Sequence, residues 1–214
     1  MQKDTTKAPF LQFPSLFTDR LHLRHLRLED AQSIFEYKSR NDTQEFPRIQ
    51  RHTTISESQT FLGTVIKKYN DKKGIYWAIT VCPDDFVIGT VALCAMHGDD
   101  RIIHRAEISF VLSSEYQRKG IMTEACRAII NYAFLNSYWP SLQRIHAEIA
   151  STNEPSLNMS RKISFKEEGV LRRYQHDNKG KLWDIQILSL LKDDWNSTSF
   201  YRVGTAHQSP TLTN

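Results

Sequence analysis

Cysteine is scarce in this chain, and none of the three, Cys82, Cys94 and Cys126, forms a C-x-x-C pair. That excludes a disulfide framework and a thiolate metal site, and the three are expected as buried free thiols. There is no run of about 18 apolar residues to span a membrane. Residues 1–17 lack the small-residue cleavage site of a secretory signal, so the chain is expected to be cytoplasmic. Charge of one sign is also missing. Twenty-eight Lys and Arg against 24 Asp and Glu leave a formal net charge of +4, spread evenly, which argues against direct nucleic-acid binding but suits a small polyanion. The segment His97–His104 (HGDDRIIH) has no matching second cluster and no i, i+4 pair on a helix, so no metal is expected. What remains is an ordinary composition, 40% hydrophobic and 11% aromatic, enough to bury one sizeable core.

The most informative stretch runs from Ala106 to Tyr138. Ala106–Leu112 is β-rich and Ser113–Lys119 is polar. From Met122, the residues Ala125, Cys126, Ile129, Ile130, Ala133 and Phe134 follow at helical spacing. A loop that ends where a helix begins presents unpaired N–H groups and the positive end of a dipole. Gln117, Arg118, Lys119, Gly120, Ile121 and Met122 would therefore cradle a phosphate or pyrophosphate, with Gly120 admitting the anion close to the backbone. The bland alternative is a basic surface loop capped by glycine.

The run Tyr116-Gln117-Arg118-Lys119-Gly120-Ile121-Met122-Thr123-Glu124-Ala125 resembles the pyrophosphate loop of GNAT acetyltransferases, in the branch that includes the ribosomal-protein N-terminal acetyltransferases. The opening T-x-R-L-x-L-R at Thr18–Arg24 resembles the start of that branch, and the likeness extends to about Trp195. It implies an α/β (α+β) single domain with a mixed, mostly antiparallel twisted sheet flanked by helices. The implied domain covers residues 18–195, between an N-terminal extension (1–17) and a flexible C-terminal tail (196–214).

The residues support that outline on their own terms. Thr18–Leu28 alternates as a strand and leads into a short amphipathic helix ending near Arg40. Asn41–Thr54 is irregular. Ser56-x-x-Gln59 reads as a capping box ahead of a helix carrying Phe61, Leu62, Val65, Ile66 and Tyr69. Ile75–Cys82 and Phe86–Met96 form a hairpin pair, in which Gly89 marks either a bulge or, more in keeping with the pattern, close packing. Arg144–Ala150 alternates strictly, placing Ile145, Ala147 and Ile149 on one face. Lys166–Tyr174 and Leu182–Lys192 close the sheet around an N-x-G turn at Asn178–Gly180.

What the resemblance implies about chemistry is specific. Acetyl-CoA would be the co-substrate and a primary amine the acceptor, with no metal and no membrane; a homodimer is left open. Backbone groups of Phe110, Val111 and Leu112 would hold the pantetheine and the thioester oxygen, and Gln117–Thr123 the diphosphate. Asn153-x-x-Ser156 matches the family's N-x-x-S, with Asn153 bonding the pantetheine arm and Ser156 beside the sulfur; ordinary helix capping is the other reading. The family's following G-F is Ser164-Phe165 here, so either that backbone has no need of positive φ or the turn is strained. Glu107 is the first choice of base, although it could equally face a solvated groove. Related enzymes carry a glutamate where this chain has Gln175. His176 would take over that role or be an exposed turn histidine.

Substrate choice follows from proton free energies. At pH 7 a lysine-like amine pays about 4.6 kcal/mol to reach its free base, and an α-amine about 1 to 1.4 kcal/mol. A weak or water-mediated base suits the α-amine of a peptide or protein. Rival readings are a small-molecule amine acetyltransferase, a non-catalytic acyl-CoA-binding module and a basic nucleic-acid-binding domain.

Overall fold

Leucines two apart at Leu21 and Leu23 point to one face of a strand, and in the folded chain that face is sealed, both residues being fully buried. The computed structural model describes residues 10, 12–40, 46–47, 50–97, 102–135 and 139–195. In chain order they form β1 (Leu16–Phe17), β2 (Leu21–His25), α1 (Ala31–Lys38), α2 (Ile55–Asn70), β3 (Gly74–Val81), β4 (Gly89–His97), β5 (Arg105–Leu112), α3 (Ile121–Leu135), β6 (Arg144–Ala150), α4 (Glu154–Lys162), β7 (Lys166–His176) and β8 (Leu182–Leu191). The strands make one sheet in the order β1-β2-β3-β4-β5-β6-β8-β7. Among the described residues every pairing is antiparallel except β5 with β6. A parallel pair needs a crossover, and α3 supplies it.

Alternation divides the side chains between two cores. Ile75, Trp77 and Ile79 of β3, Ile145, Ala147 and Ile149 of β6, and Leu188 and Leu190 of β8 pack with α3 and with Leu157 of α4. On the opposite face Ala78 of β3 meets Ile34 and Tyr37 of α1 and Leu62 and Val65 of α2. Each fully buried Leu or Ile contributes about 1.5 to 3 kcal/mol. Residues 12–17, in the segment read as an extension, pack on the first core. The Phe13 ring lies 5.8 Å from that of Trp77, whose indole N–H donates to the Pro14 carbonyl at 2.7 Å. Gly89 is a close-packing glycine, since a Cβ there would stand 2.5 Å from the Val111 carbonyl oxygen.

Two local expectations need correction. The capping box of α2 is Thr54 with Glu57, not Ser56 with Gln59: the Glu57 carboxylate accepts from the N–H of Thr53 at 2.5 Å and of Thr54 at 3.1 Å. Of the three thiols, Cys126 is buried and Cys94 half-buried, but Cys82 is exposed because β3 ends at Val81 and Cys82 starts the connection to β4. The metal reading of His97–His104 rests in part on 98–101, and the expected flexible tail on 196–214; those positions lie outside the described residues. No helix among the described residues is long and apolar enough to cross a membrane.

Candidate functional site

The register of β5 and β6 makes the site. They pair only at Arg105 with Arg144, Ala106 with Ile145 and Glu107 with His146. Beyond Glu107, β5 stays with β4 as far as Leu112 while β6 stays with β8 as far as Ala150. The two strands therefore splay, and a cleft of about 690 Å³ opens at the divergence. It is lined by Phe110, Val111 and Leu112 of β5, by the following loop and the start of α3, and by the first half of the site's second wall, Asn153 and Ser156.

The loop is shaped for an anion. Arg118 (φ 61°) and Gly120 (φ 77°) both adopt left-handed backbone, which turns successive N–H groups toward one point. Strain at the non-glycine Arg118 costs of order 1 kcal/mol or more and is the kind of outlier found at ligand clamps. Glu124 supplies the first α3 N–H to find a carbonyl, that of Gly120 at 3.0 Å, so the amides ahead of it face the cleft's end without a helical partner. Gln117 braces the loop, its amide donating to the Leu112 carbonyl at 3.2 Å. Behind the loop sits buried Glu124, whose carboxylate accepts from the Thr18 hydroxyl at 2.5 Å and from Arg20 Nε at 2.8 Å, while Arg20 Nη1 donates to the Lys119 carbonyl at 3.2 Å. Arg20 thus neutralises a carboxylate that would otherwise oppose an anion at the helix N-terminus.

On the second wall, Asn153 is the N-cap of α4, its Oδ1 accepting from the Ser156 N–H at 3.3 Å. The capping reading therefore holds, and the same geometry presents both side chains to the cleft. Of the residues chosen from sequence, Phe110, Val111, Leu112, Gln117, Arg118, Gly120, Ile121, Met122, Thr123, Asn153 and Ser156 come together as cleft lining. Lys119 is not among them; its ammonium lies 5.3 Å from the centroid of the Tyr116 ring. Nor is His176, which is exposed at the end of β7 with its Nδ1 3.0 Å from the Asp177 carbonyl. Phe46 comes from the irregular Asn41–Thr54 segment, which the family resemblance implies walls the acceptor site; sequence reasoning missed Tyr37, from about 70 residues upstream, and also Pro155, Met159 and Lys162. The last three follow Asn153 at intervals that put them on one face of α4, a signal that was readable.

Glu107 stands at the vertex of the splay rather than in the lining. It is buried, and its carboxylate comes within 4.8 Å of a ring nitrogen of His146 and a carboxylate oxygen of Glu148. All three lie on the sheet face opposite α3, where Gln175 of β7 donates its amide N–H to Glu148 at 2.8 Å. Desolvation is the main cause that lowers the His146 pKa, helped by Arg144 and Arg105 and opposed by Glu148. Farther along this face the Trp183 ring lies 5.9 Å from that of Phe46, which reaches back to the cleft.

Comparison with known proteins places this geometry. The model of the acetyltransferase (GNAT) domain matches residues 20–166. The Bacillus subtilis N-acetyltransferase YoaA is 32% identical over 180 residues, 84% of this chain and 98% of that protein. The putative ribosomal N-acetyltransferase YdaF of the same organism is 29% identical over 187 residues, covering 86% and 97%. Among solved structures, the ribosomal-protein-S5-alanine acetyltransferase from Vibrio fischeri superposes with a TM-score of 0.70 at 26% identity, covering 85% of this chain and 98% of that one.

Proposed function

The chain belongs to the acetyltransferase (GNAT) domain family and is an acetyl-CoA-dependent N-acetyltransferase; from that premise we propose that its acceptor is the α-amine of a peptide or protein N-terminus. The observation that carries the proposal is the shape of the acceptor side. There Phe46 of the cleft lining lies 5.9 Å from Trp183, which shares one face of the β6-β8-β7 sheet with Glu148 and Gln175, a floor suited to an extended chain end. The relation to YdaF over nearly its whole length supports the same reading.

The left-handed Arg118–Gly120 turn and the N-terminus of α3 fit a diphosphate, and the roughly 690 Å³ cleft fits the arm that follows it. When bound, acetyl-CoA supplies an acyl group already activated as a thioester. The protein's own part is to position, to accept a proton and to donate one. Phe110–Leu112 would offer backbone hydrogen bonds along one wall, Asn153 a side-chain amide on the other, and Lys162 a cation in the same lining. Ser156, in the cleft lining, would donate its hydroxyl proton toward the departing sulfur, and a carboxylate of the splay vertex, where Glu107 and Glu148 lie together, would accept from nitrogen directly or through water. His176, exposed in its hairpin, fits the turn reading better than a catalytic one.

Peptides with free N-termini, N-blocked peptides containing lysine, and spermidine are to be compared as acceptors by following free thiol release. Turnover at least tenfold higher on the free N-termini is expected. Use of ε-amines or spermidine alone would rule the assignment out.

A further inference from the structure

Across the β6-β8-β7 sheet the Gln175 amide is bonded to a carboxylate, that of Glu148. We propose that Glu148 is the group that takes the proton from the acceptor amine, with Gln175 and His146 as positioning residues. The proposal deepens the acetyl-transfer reading above and rests on it.

Three observations converge. First, strand register places Glu107, His146 and Glu148 on one face at the splay vertex, with their polar atoms within 4.8 Å of one another. Second, Gln175 can only present an N–H to a carboxylate at this position, and its 2.8 Å bond fixes Glu148 Oε2. A bulge between Leu171 and Gln175, with Arg173 at φ 52° and its N–H donating to Asp184 at 2.7 Å, turns Gln175 onto this face. Third, Nδ1 of His146 is buried with no hydrogen-bond partner among the described residues, while the Ala106 backbone favours the protonated ring. Glu148 is half-buried and Glu107 buried at 6% exposure, so of the two carboxylates Glu148 is the more open to an amine or a water. The charged groups facing the cluster are Glu107 and Arg105 from β5, Arg144 from β6 and Glu168 from β7, the last held by Arg144 and by the Ser189 hydroxyl of β8 at 2.6 Å.

The proton balance is simple. An acceptor arriving as an ammonium gives one proton to Glu148, which passes it to solvent. The nitrogen lone pair then forms the bond to the acyl carbon, the carbon–sulfur bond breaks, and the sulfur keeps its electron pair and takes a proton from Ser156. The second nitrogen proton goes to Glu148 and from there, through solvent, back to Ser156, so that both side chains return to their starting state. The products are the amide, free thiol and one proton released.

The test uses the full chain with acetyl-CoA and whichever of an alanine-starting peptide, a serine-starting peptide or spermidine the parent acetylates. Glu148→Gln is expected to lower kcat about 100-fold, to leave the KM for acetyl-CoA within about twofold, and to move the ascending limb of the kcat–pH profile by a unit or more. Its ligand-free His146 resonances should titrate at lower pH, because a raising charge has gone. The exchange Glu148→Gln with Gln175→Glu keeps the hydrogen bond and returns a carboxylate, so kcat should recover to within about tenfold of the parent. It also carries the test if the single variant does not fold. Unchanged kcat and pH profile in Glu148→Gln, or a 100-fold loss confined to Glu107→Gln, overturns the proposal. A parent chain that binds CoA but acetylates none of the three amines overturns the acetyl-transfer reading first, and this assignment with it.

Discussion

The two ends of the cleft are built by different means. On the reading proposed above, the cofactor end would recognise its ligand by backbone: a loop and a helix start within eight residues, Gln117–Glu124, plus the cap of α4. The acceptor end would do so by side chains, Glu107, His146, Glu148, Gln175 and Trp183 assembled by sheet register and Phe46 brought in by the α1–α2 connection. Backbone N–H groups at a helix start bind any phosphate, whereas a set of side chains on five segments can be exchanged piecemeal. The contrast explains how one fold keeps its acyl donor while acceptors differ.

The sharpest way to break the contrast is at Gly120. Its φ of 77° disfavours any L side chain, yet a Cβ there would meet nothing nearer than Arg20 Nη2 at 3.6 Å, so the fold has room. Gly120→Asp is expected to weaken CoA binding at least 100-fold in a calorimetric titration, by setting a carboxylate against the diphosphate and by competing with Glu124 for Arg20. Gly120→Ala should lose much less, paying only for backbone strain of about 1 kcal/mol. A Gly120→Asp protein that keeps parental affinity would place the diphosphate elsewhere.

This asymmetry also governs what could be read in the sequence. The strand, loop and helix of Arg105–Leu135 and the Asn153-x-x-Ser156 pair were legible because each is local and periodicity plus a few loop residues specify it. The acceptor floor was not. Gln175 looked like a loss of function in isolation, and only the pairing of β6 with β8 and of β8 with β7 brings it to Glu148, 27 positions away. Capping near Thr54 shows the limit within local reading. Thr54-x-x-Glu57 and Ser56-x-x-Gln59 both satisfy the pattern, and the stronger acceptor, a carboxylate bonding two backbone N–H groups, decided.

A smaller effect is expected under the acceptor wall. The connection from α1 to α2, which carries Phe46, is tied at its ends by the His52 N–H donating to the Lys38 carbonyl at 3.1 Å. Both side chains are buried titratable groups. Desolvation holds Lys38 down to about 8, with its ammonium 4.7 Å from the Phe61 ring centroid, and desolvation followed by Lys38 itself pushes His52 down to about 4. Both folded values lie below the unfolded ones, so each group favours folding most above its unfolded pKa and loses that contribution as pH falls through the folded one. For His52 the window runs from about 6.5 to about 4. For Lys38 it runs from about 10.5 to about 8, and below it the full penalty applies. Lys38→Met should therefore raise stability by about 1 to 3 kcal/mol at pH 7 in urea titrations, a gain that shrinks as pH climbs past 8. Constant parental stability from pH 6.5 to 4 would mean that His52 is not held neutral.

The smallest change sharpens the cofactor end. α4 closes in a Schellman motif: the Phe165 N–H donates to the Ser160 carbonyl at 3.1 Å and the Ser164 N–H to Arg161 at 3.0 Å. Ser164 occupies the left-handed position at φ 73°. Of the two readings open for the missing family glycine, the strained turn is the one realised. The strain persists because Phe165, only 4% exposed, anchors the following residue in the main core. Ser164→Gly should stabilise the fold by about 0.5 to 1 kcal/mol, the relief of a serine's left-handed backbone less the extra freedom glycine gains when unfolded. Ser164→Val should cost about 1 to 2 kcal/mol, because β-branching resists this region further. Ser164 does not line the cleft, so in both variants CoA affinity should stay within about twofold of the parent while the thermal midpoint moves. A midpoint that moves together with CoA affinity would mean that the α4 turn is coupled to Asn153 and Ser156 at the other end of the helix, and that the cofactor end depends on side-chain assembly as much as the acceptor end does.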